Sequence, residues 1–146
     1  MIVYRSKEAI MRKTEESTTE VISAVKEFYS ALHGIFEGKT GGMESVWSHA
    51  DDVTYLGPQG GILKGWKHVF NAWKEQASLS LKGNIEPKDI HIIQQGDIAI
   101  IQNYEVGTNY INGTAKSVKI RALNIFRRED GSWKMISHQT DLLSFV

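Results

Sequence analysis

The 146-residue chain has no cysteine and only two prolines, Pro58 and Pro87. Without cysteine there is no disulfide and no thiolate metal ligand, which fits a cytoplasmic protein. Neither charge sign is in excess. Seventeen Lys and Arg balance seventeen Asp and Glu, which argues against a dedicated nucleic-acid binder. No apolar run approaches the roughly 20 residues of a membrane span. Met1–Lys13 lacks the apolar core and small-residue cleavage site of a signal peptide. His33, His49, His68, His91 and His138 show no HExxH or paired-ligand spacing, so no metal site is expected. The Gly-rich break Lys39–Gly42 lacks the phosphate-loop pattern, and no serine sits in a G-x-S-x-G setting. No cofactor is expected.

What is present points to one domain with a real core. The stretch Ile98–Leu143 reads as three β-strands joined by Asn112-Gly113 and Asp130-Gly131, dipeptides suited to type I′ turns because both residues must take positive φ. A two-residue loop at Asn112-Gly113 sets opposite residues whose numbers sum to 225, so Asn103 meets Ala122, Tyr104 meets Arg121 and Glu105 meets Ile120. A two-residue loop at Asp130-Gly131 sets pairs summing to 261, so Asn124 meets Ser137 and Leu123 meets His138. One face then carries Ala99, Ile101, Asn103, Glu105, Ile120, Ala122, Asn124, Phe126, Trp133, Met135 and Asp141. The other carries Ile98, Ile100, Gln102, Tyr104, Arg121, Leu123, Ile125, Ile136 and His138. A bulge would exchange the faces. Both faces are substantially apolar, so one is expected under the chain's own helices and the other under a second copy, giving a homodimer. Asn103, Glu105, Asn124 and Asp141 stand among hydrophobes on one wall. Buried polar groups need partners, so these suggest a pocket.

Upstream, residues 1–16 read as an arm or frayed helix, and 17–146 as the domain. Ser17-Thr18-Thr19-Glu20 fits a capping box. Val21, Val25, Phe28, Leu32 and Ile35 follow at helical spacing, ending near Gly38. Tyr29 lies beside this stripe and either packs in the core or reaches a cavity. Met43–Ser48 reads as a short helix bearing Trp47. Asp52–Leu56 reads as a strand with Tyr55, and Gly65–Ser78 as an amphipathic helix with Trp66 and Trp73 on its stripe. Core filling is the reading for Trp66 and Trp133; Trp47 and Trp73 are candidates to line an aromatic pocket. Ile85–Gln95 reads as a strand that Pro87 makes irregular or confines to an edge. Helices first and a meander after argue α+β.

Two segments carry a family resemblance. His49-Ala50-Asp51-Asp52-Val53-Thr54-Tyr55-Leu56-Gly57-Pro58, with Gly65-Trp66 opening a helix, resembles the first strand and next helix of SnoaL-like proteins. Arg121 through His138, containing Asn124-Ile125-Phe126-Arg127 and Asp130-Gly131-Ser132-Trp133, resembles their closing hairpin. These proteins belong to the nuclear transport factor 2-like superfamily, which includes ketosteroid isomerase. The resemblance spans roughly Thr18 to Leu143. It implies a cone of helices on a curved, mainly antiparallel sheet, a pocket between them, and dimers formed through the sheet. Ketosteroid isomerase uses an Asp base with an oxyanion hole of a Tyr and a protonated Asp. The resemblance places Gly57 at the base and Asn124 at the protonated Asp, and leaves the Tyr near Phe28 or Tyr29. A standard steroid isomerisation therefore lacks its base.

The expected function is binding of a small apolar molecule, lined by Tyr29, Trp47, Tyr55, Trp73, Asn103, Glu105, Asn124 and Asp141. An isomerase, cyclase or lyase acting by proton transfer would use Glu105 or Asp141 to move the proton and Asn124 to stabilise oxyanion charge. His138 alone could act as a base, but the register puts it opposite Asn124's face. The alternative is a non-catalytic dimerisation or protein-interaction module of the same fold. No membrane or nucleic-acid partner is expected.

Overall fold

A computed structural model describes residues 6–141, the Lys13 side chain aside. The first five residues of the expected arm, and the expected last-strand residues 142–143, lie outside them. The elements run α1 (Lys7–Phe36), α2 (Gly41–Val46), β1 (Thr54–Leu56), β2 (Leu63–Lys64), α3 (Trp66–Ser78), β3 (Gly83–Gln95), β4 (Ile98–Ile111), β5 (Thr114–Glu129) and β6 (Ser132–Asp141). One six-stranded sheet has the order β2-β1-β6-β5-β4-β3. Every pairing is antiparallel except β1 with β6. The α+β expectation holds.

Helix α1 begins eleven residues earlier than the capping box suggests. Ser6 is the N-cap, its hydroxyl accepting from Ala9 N at 3.2 Å. Ser17 lies inside the helix, and its hydroxyl instead accepts from Gln94 and Arg128 side chains. The residues before it, such as Ala9, Met11, Glu15 and Glu16, are ordinary helix formers, so nothing stops the helix at Ser17. Burial begins at Val21 and follows Val25, Phe28, Tyr29, Leu32, Ile35 and Phe36. This stripe, with Val69, Trp73 and Ala77 of α3, covers one sheet face.

The Asn112-Gly113 turn keeps the expected register over the whole β4–β5 ladder, from Ile111↔Thr114 to Ile98↔Arg127. Both turn residues have positive φ, 52° and 78°. Asp130-Gly131 turns the same way, and Phe126↔Met135 still sums to 261. Beyond it the register shifts, so Ile125 pairs with Ser137 and Asn124 with His138. Ile136 is the extra residue of a β-bulge within β6, not in the turn. The bulge exchanges the faces of everything beyond it. His138 and Thr140 turn inward and are buried, while Asp141 turns outward, correcting both expected placements. Pro87 lies in β3, an edge strand that is irregular between Lys88 and His91.

Candidate functional site

The inward rows of the sheet bring six polar side chains together. Ile101, Asn124, His138 and Tyr55 lie in one row across β4, β5, β6 and β1. Asn103, Ala122 and Thr140 form the next row, and Glu105 stands one further along β4. Above them α1 lowers Tyr29, 2% exposed, into the middle of the polar group. Its hydroxyl donates to Glu105 Oε2 at 2.8 Å. The Tyr29 hydroxyl oxygen accepts from Asn103 Nδ2 at 2.9 Å and Asn124 Nδ2 at 3.2 Å. Asn124 Nδ2 also lies 3.3 Å from Asn103 Oδ1. With its amide nitrogen so used, Asn124 offers Oδ1 to His138 Nδ1, 2.5 Å away. An amide oxygen only accepts, so Nδ1 carries the imidazole proton. In the neutral ring Nε2 keeps its lone pair and faces Glu105 Oε2 across 3.9 Å.

Burial sets the protonation of the two titrating groups. It pushes the Glu105 carboxyl up to about 7, opposed by the Tyr29 hydrogen bond. It pushes His138 down to about 3, so the ring is neutral near pH 7. Tyr29 is raised well above its ordinary value by burial and by the Glu105 charge. A carboxyl that titrates near neutrality, beside a neutral imidazole with a bare nitrogen, can both give and take a proton.

Aromatic rings wall this cluster. Phe28 lies edge-on to Tyr29 and 4.8 Å from the His138 ring. Tyr55 stacks on Trp73 at 4.8 Å and on His138 at 5.8 Å. Gln76 Nε2 donates to the Tyr55 hydroxyl at 2.7 Å. A Cβ on Gly57 would lie 2.7 Å from both Cζ and Oη of Tyr55. The Tyr55 phenol therefore fills the space that a side chain at residue 57 would need.

Of the expected residues, the structure brings together Tyr29, Tyr55, Trp73, Asn103, Glu105 and Asn124. Trp47 is buried against Trp66 and Trp73, one aromatic layer away from the polar groups. Asp141 is apart, on the outer face, where its carboxylate meets Arg121 at 3.3 Å. Sequence reasoning placed His138 on the wrong face, because a bulge inside a strand leaves no turn residue to announce it. Gln76 and Thr140 were missed altogether. Gln76 reads as the polar side of an amphipathic helix, and Thr140 as an ordinary strand residue.

Two clefts open elsewhere. One of 570 Å³ runs between the first turns of α1, near Ile10 and Thr14, and Arg128 with the β3–β4 turn. One of 420 Å³ lies over the outer sheet face at Tyr104, Arg121, Gln139 and Asp141, and Asn103 of the cluster also borders it.

Residues 21–143 match a family model described as a SnoaL-like domain. No curated protein matches the chain. Among solved structures, a proposed dehydratase of the nuclear transport factor 2-like family from Streptomyces avermitilis is 21% identical. It covers 89% of this chain and 99% of its own, with a TM-score of 0.78. A proposed calcium/calmodulin-dependent protein kinase type II association domain from Thiobacillus denitrificans is 25% identical, covers 99% and 100%, and has a TM-score of 0.71. A nuclear transport factor 2-like protein with a cystatin-like fold from Novosphingobium aromaticivorans is 15% identical, covers 99% and 94%, and has a TM-score of 0.75.

Proposed function

The chain belongs to the SnoaL-like domain family, and from that premise we propose that it binds a small, mostly apolar molecule bearing a carbonyl oxygen. The molecule sits between the helices and the inward sheet face, with Glu105 as the proton-moving group. The observation that carries this reading is the network of Tyr29, Asn103, Glu105, Asn124 and His138 inside an aromatic shell. Burying a carboxyl and an imidazole so close together opposes folding. A core built for stability alone gains more from apolar groups of the same volume. Glu105 would take a proton from a carbon next to the carbonyl, or return one. Asn124 would hold the amide geometry around the developing oxygen charge. The reaction class is an isomerisation, cyclisation or elimination by proton transfer; Asp141 has no part in it.

The test is thermal shift against a panel of apolar ketones, since a ligand that binds the native state raises the melting temperature. Binding to the wild type that weakens at least tenfold in both Asn124→Leu and Glu105→Gln supports the site. Equal affinity and turnover in all three proteins removes these residues from it.

The second reading is a non-catalytic association module. It is favoured by the 25% identity to the proposed kinase association domain, and by a network whose members already satisfy one another. A flat thermal response across the panel selects it. Both readings include a homodimer through the outer sheet face. There Arg121 and Asp141 lie close together, so a two-fold contact sets each arginine against the other copy's acids.

A further inference from the structure

The hydroxyls around the cluster differ in what they have left to give. Tyr29 has nothing to spare: its proton goes to Glu105 and its oxygen accepts from two amides. Tyr55 is used on one side only. Its oxygen accepts from Gln76 Nε2 at 2.7 Å, and among the described residues its proton has no acceptor. The ring cannot swing away to find one, being held against both Trp73 and His138, which also touch each other. The hydroxyl sits where a Gly57 side chain would be.

A second observation falls at the same corner. Thr140 Oγ1 is buried and has no hydrogen-bond partner among the described residues. Thr140 follows Gln139, which pairs with Leu56, so it lies alongside Gly57. Buried hydroxyls are nearly always bonded. Two with uncommitted protons, on adjoining strands, mark a place for an oxygen that accepts.

We infer that Tyr55, held by Gln76, is the hydrogen-bond donor to the ligand's carbonyl oxygen, with Thr140 beside it. This rests on the small-molecule reading above and moves the donor to the carbonyl oxygen from Asn124 on β5 to Tyr55 on β1. The carbonyl oxygen points at β1, and the adjacent carbon points at Glu105 and His138. Burial pushes the Tyr55 phenol up to about 12, so it keeps its proton throughout the neutral range. Gln76 is a positioning residue: by donating, it occupies the phenol oxygen and leaves the proton free to face inward.

The test uses 1-indanone labelled with carbon-13 at the carbonyl, titrated into the full-length protein. Affinity is read by calorimetry and the carbonyl stretch by infrared difference spectra. In the wild type the stretch of bound ketone should fall below its value in an aprotic solvent. Tyr55→Phe keeps the ring and its stacking, and should lose most of that lowering and weaken binding by about three- to tenfold. Gln76→Glu keeps the packing but presents a carboxylate, which would accept the phenol's hydrogen bond in place of the ligand. It should abolish the lowering as fully as Tyr55→Phe does, whereas Gln76→Met should keep part of it. A stretch in Tyr55→Phe and Gln76→Glu unchanged from the wild type overturns the inference while leaving a bound ketone and its site intact. If the wild type does not bind the ketone, the small-molecule reading and this inference fall together.

Discussion

Glu105 is forced to choose between charge and burial, and its ladder position fixes the outcome. In the unfolded chain its pKa is near the ordinary 4.5; in the fold burial raises it to about 7. Between those values the folded state binds more protons than the unfolded one, so this residue makes stability fall as pH rises. Glu105→Gln keeps an acceptor for the Tyr29 hydroxyl and removes the titration. The variant should therefore gain stability over wild type from pH 4.5 to 7, reaching about 3 kcal/mol, as chemical denaturation at a series of pH values would read. His138 has the opposite sign. Its folded value near 3 lies below the ordinary 6.5, so its contribution is complete above 6.5 and lost as pH falls towards 3. Asn124 joins three partners, and Asn124→Leu leaves the buried His138 Nδ1 and Asn103 Oδ1 without theirs. It should cost about 2–4 kcal/mol in denaturant unfolding at pH 7. Asn103, Glu105 and Asn124 were legible as inward residues because a period of two and one reliable turn decide their face. Tyr29 was legible only as a helix-stripe neighbour, since three hydrogen bonds to one hydroxyl leave no trace in spacing.

Register is decided within elements, and β6 shows how far a turn can govern it. Four pairs after Asp130-Gly131 follow the two-residue loop, and then Ile136 is inserted. The apolar pattern around it, Trp133, Met135, Ile136, does not distinguish an extra residue from a regular one, so the reversal of His138 was hidden. Deleting Ile136 should leave Asn124 facing His138, because the bulge is removed and the same residues continue to pair. NMR titration of the His138 ring checks this: a pKa still far below 6.5 fits, and a return to about 6.5 shows the ring has turned outward. The N-terminal helix carries a parallel lesson. A capping-box pattern marks a possible start, but Ser17 sits within reach of Gln94 and Arg128, and tertiary bonds claimed its hydroxyl. At β1, Gly57→Ala would set a methyl group 2.7 Å from the Tyr55 ring and oxygen. The phenol must move, so ketone affinity should drop as in Tyr55→Phe, with a lower melting temperature besides.

For the whole molecule, the family and its helix-on-sheet architecture were readable from two short segments, whereas the partner surface was not. The outer face shows exposed Ile93 and Ile98 towards one end, and exposed Tyr104 in the row of the Arg121–Asp141 pair. If two copies meet there, Arg121→Glu sets like charges against one another. Analytical ultracentrifugation should then find monomer where the wild type sediments as dimer; a monomeric wild type removes the interface. One further consequence comes from the sheet order. Strands β1 and β2 join the sheet only through β6. A ribosome that has made everything up to Asp130 has therefore released Tyr55 and Gly57 with no strand to receive them. The chemistry of the site must wait for β6, the strand that binds β1 into the sheet.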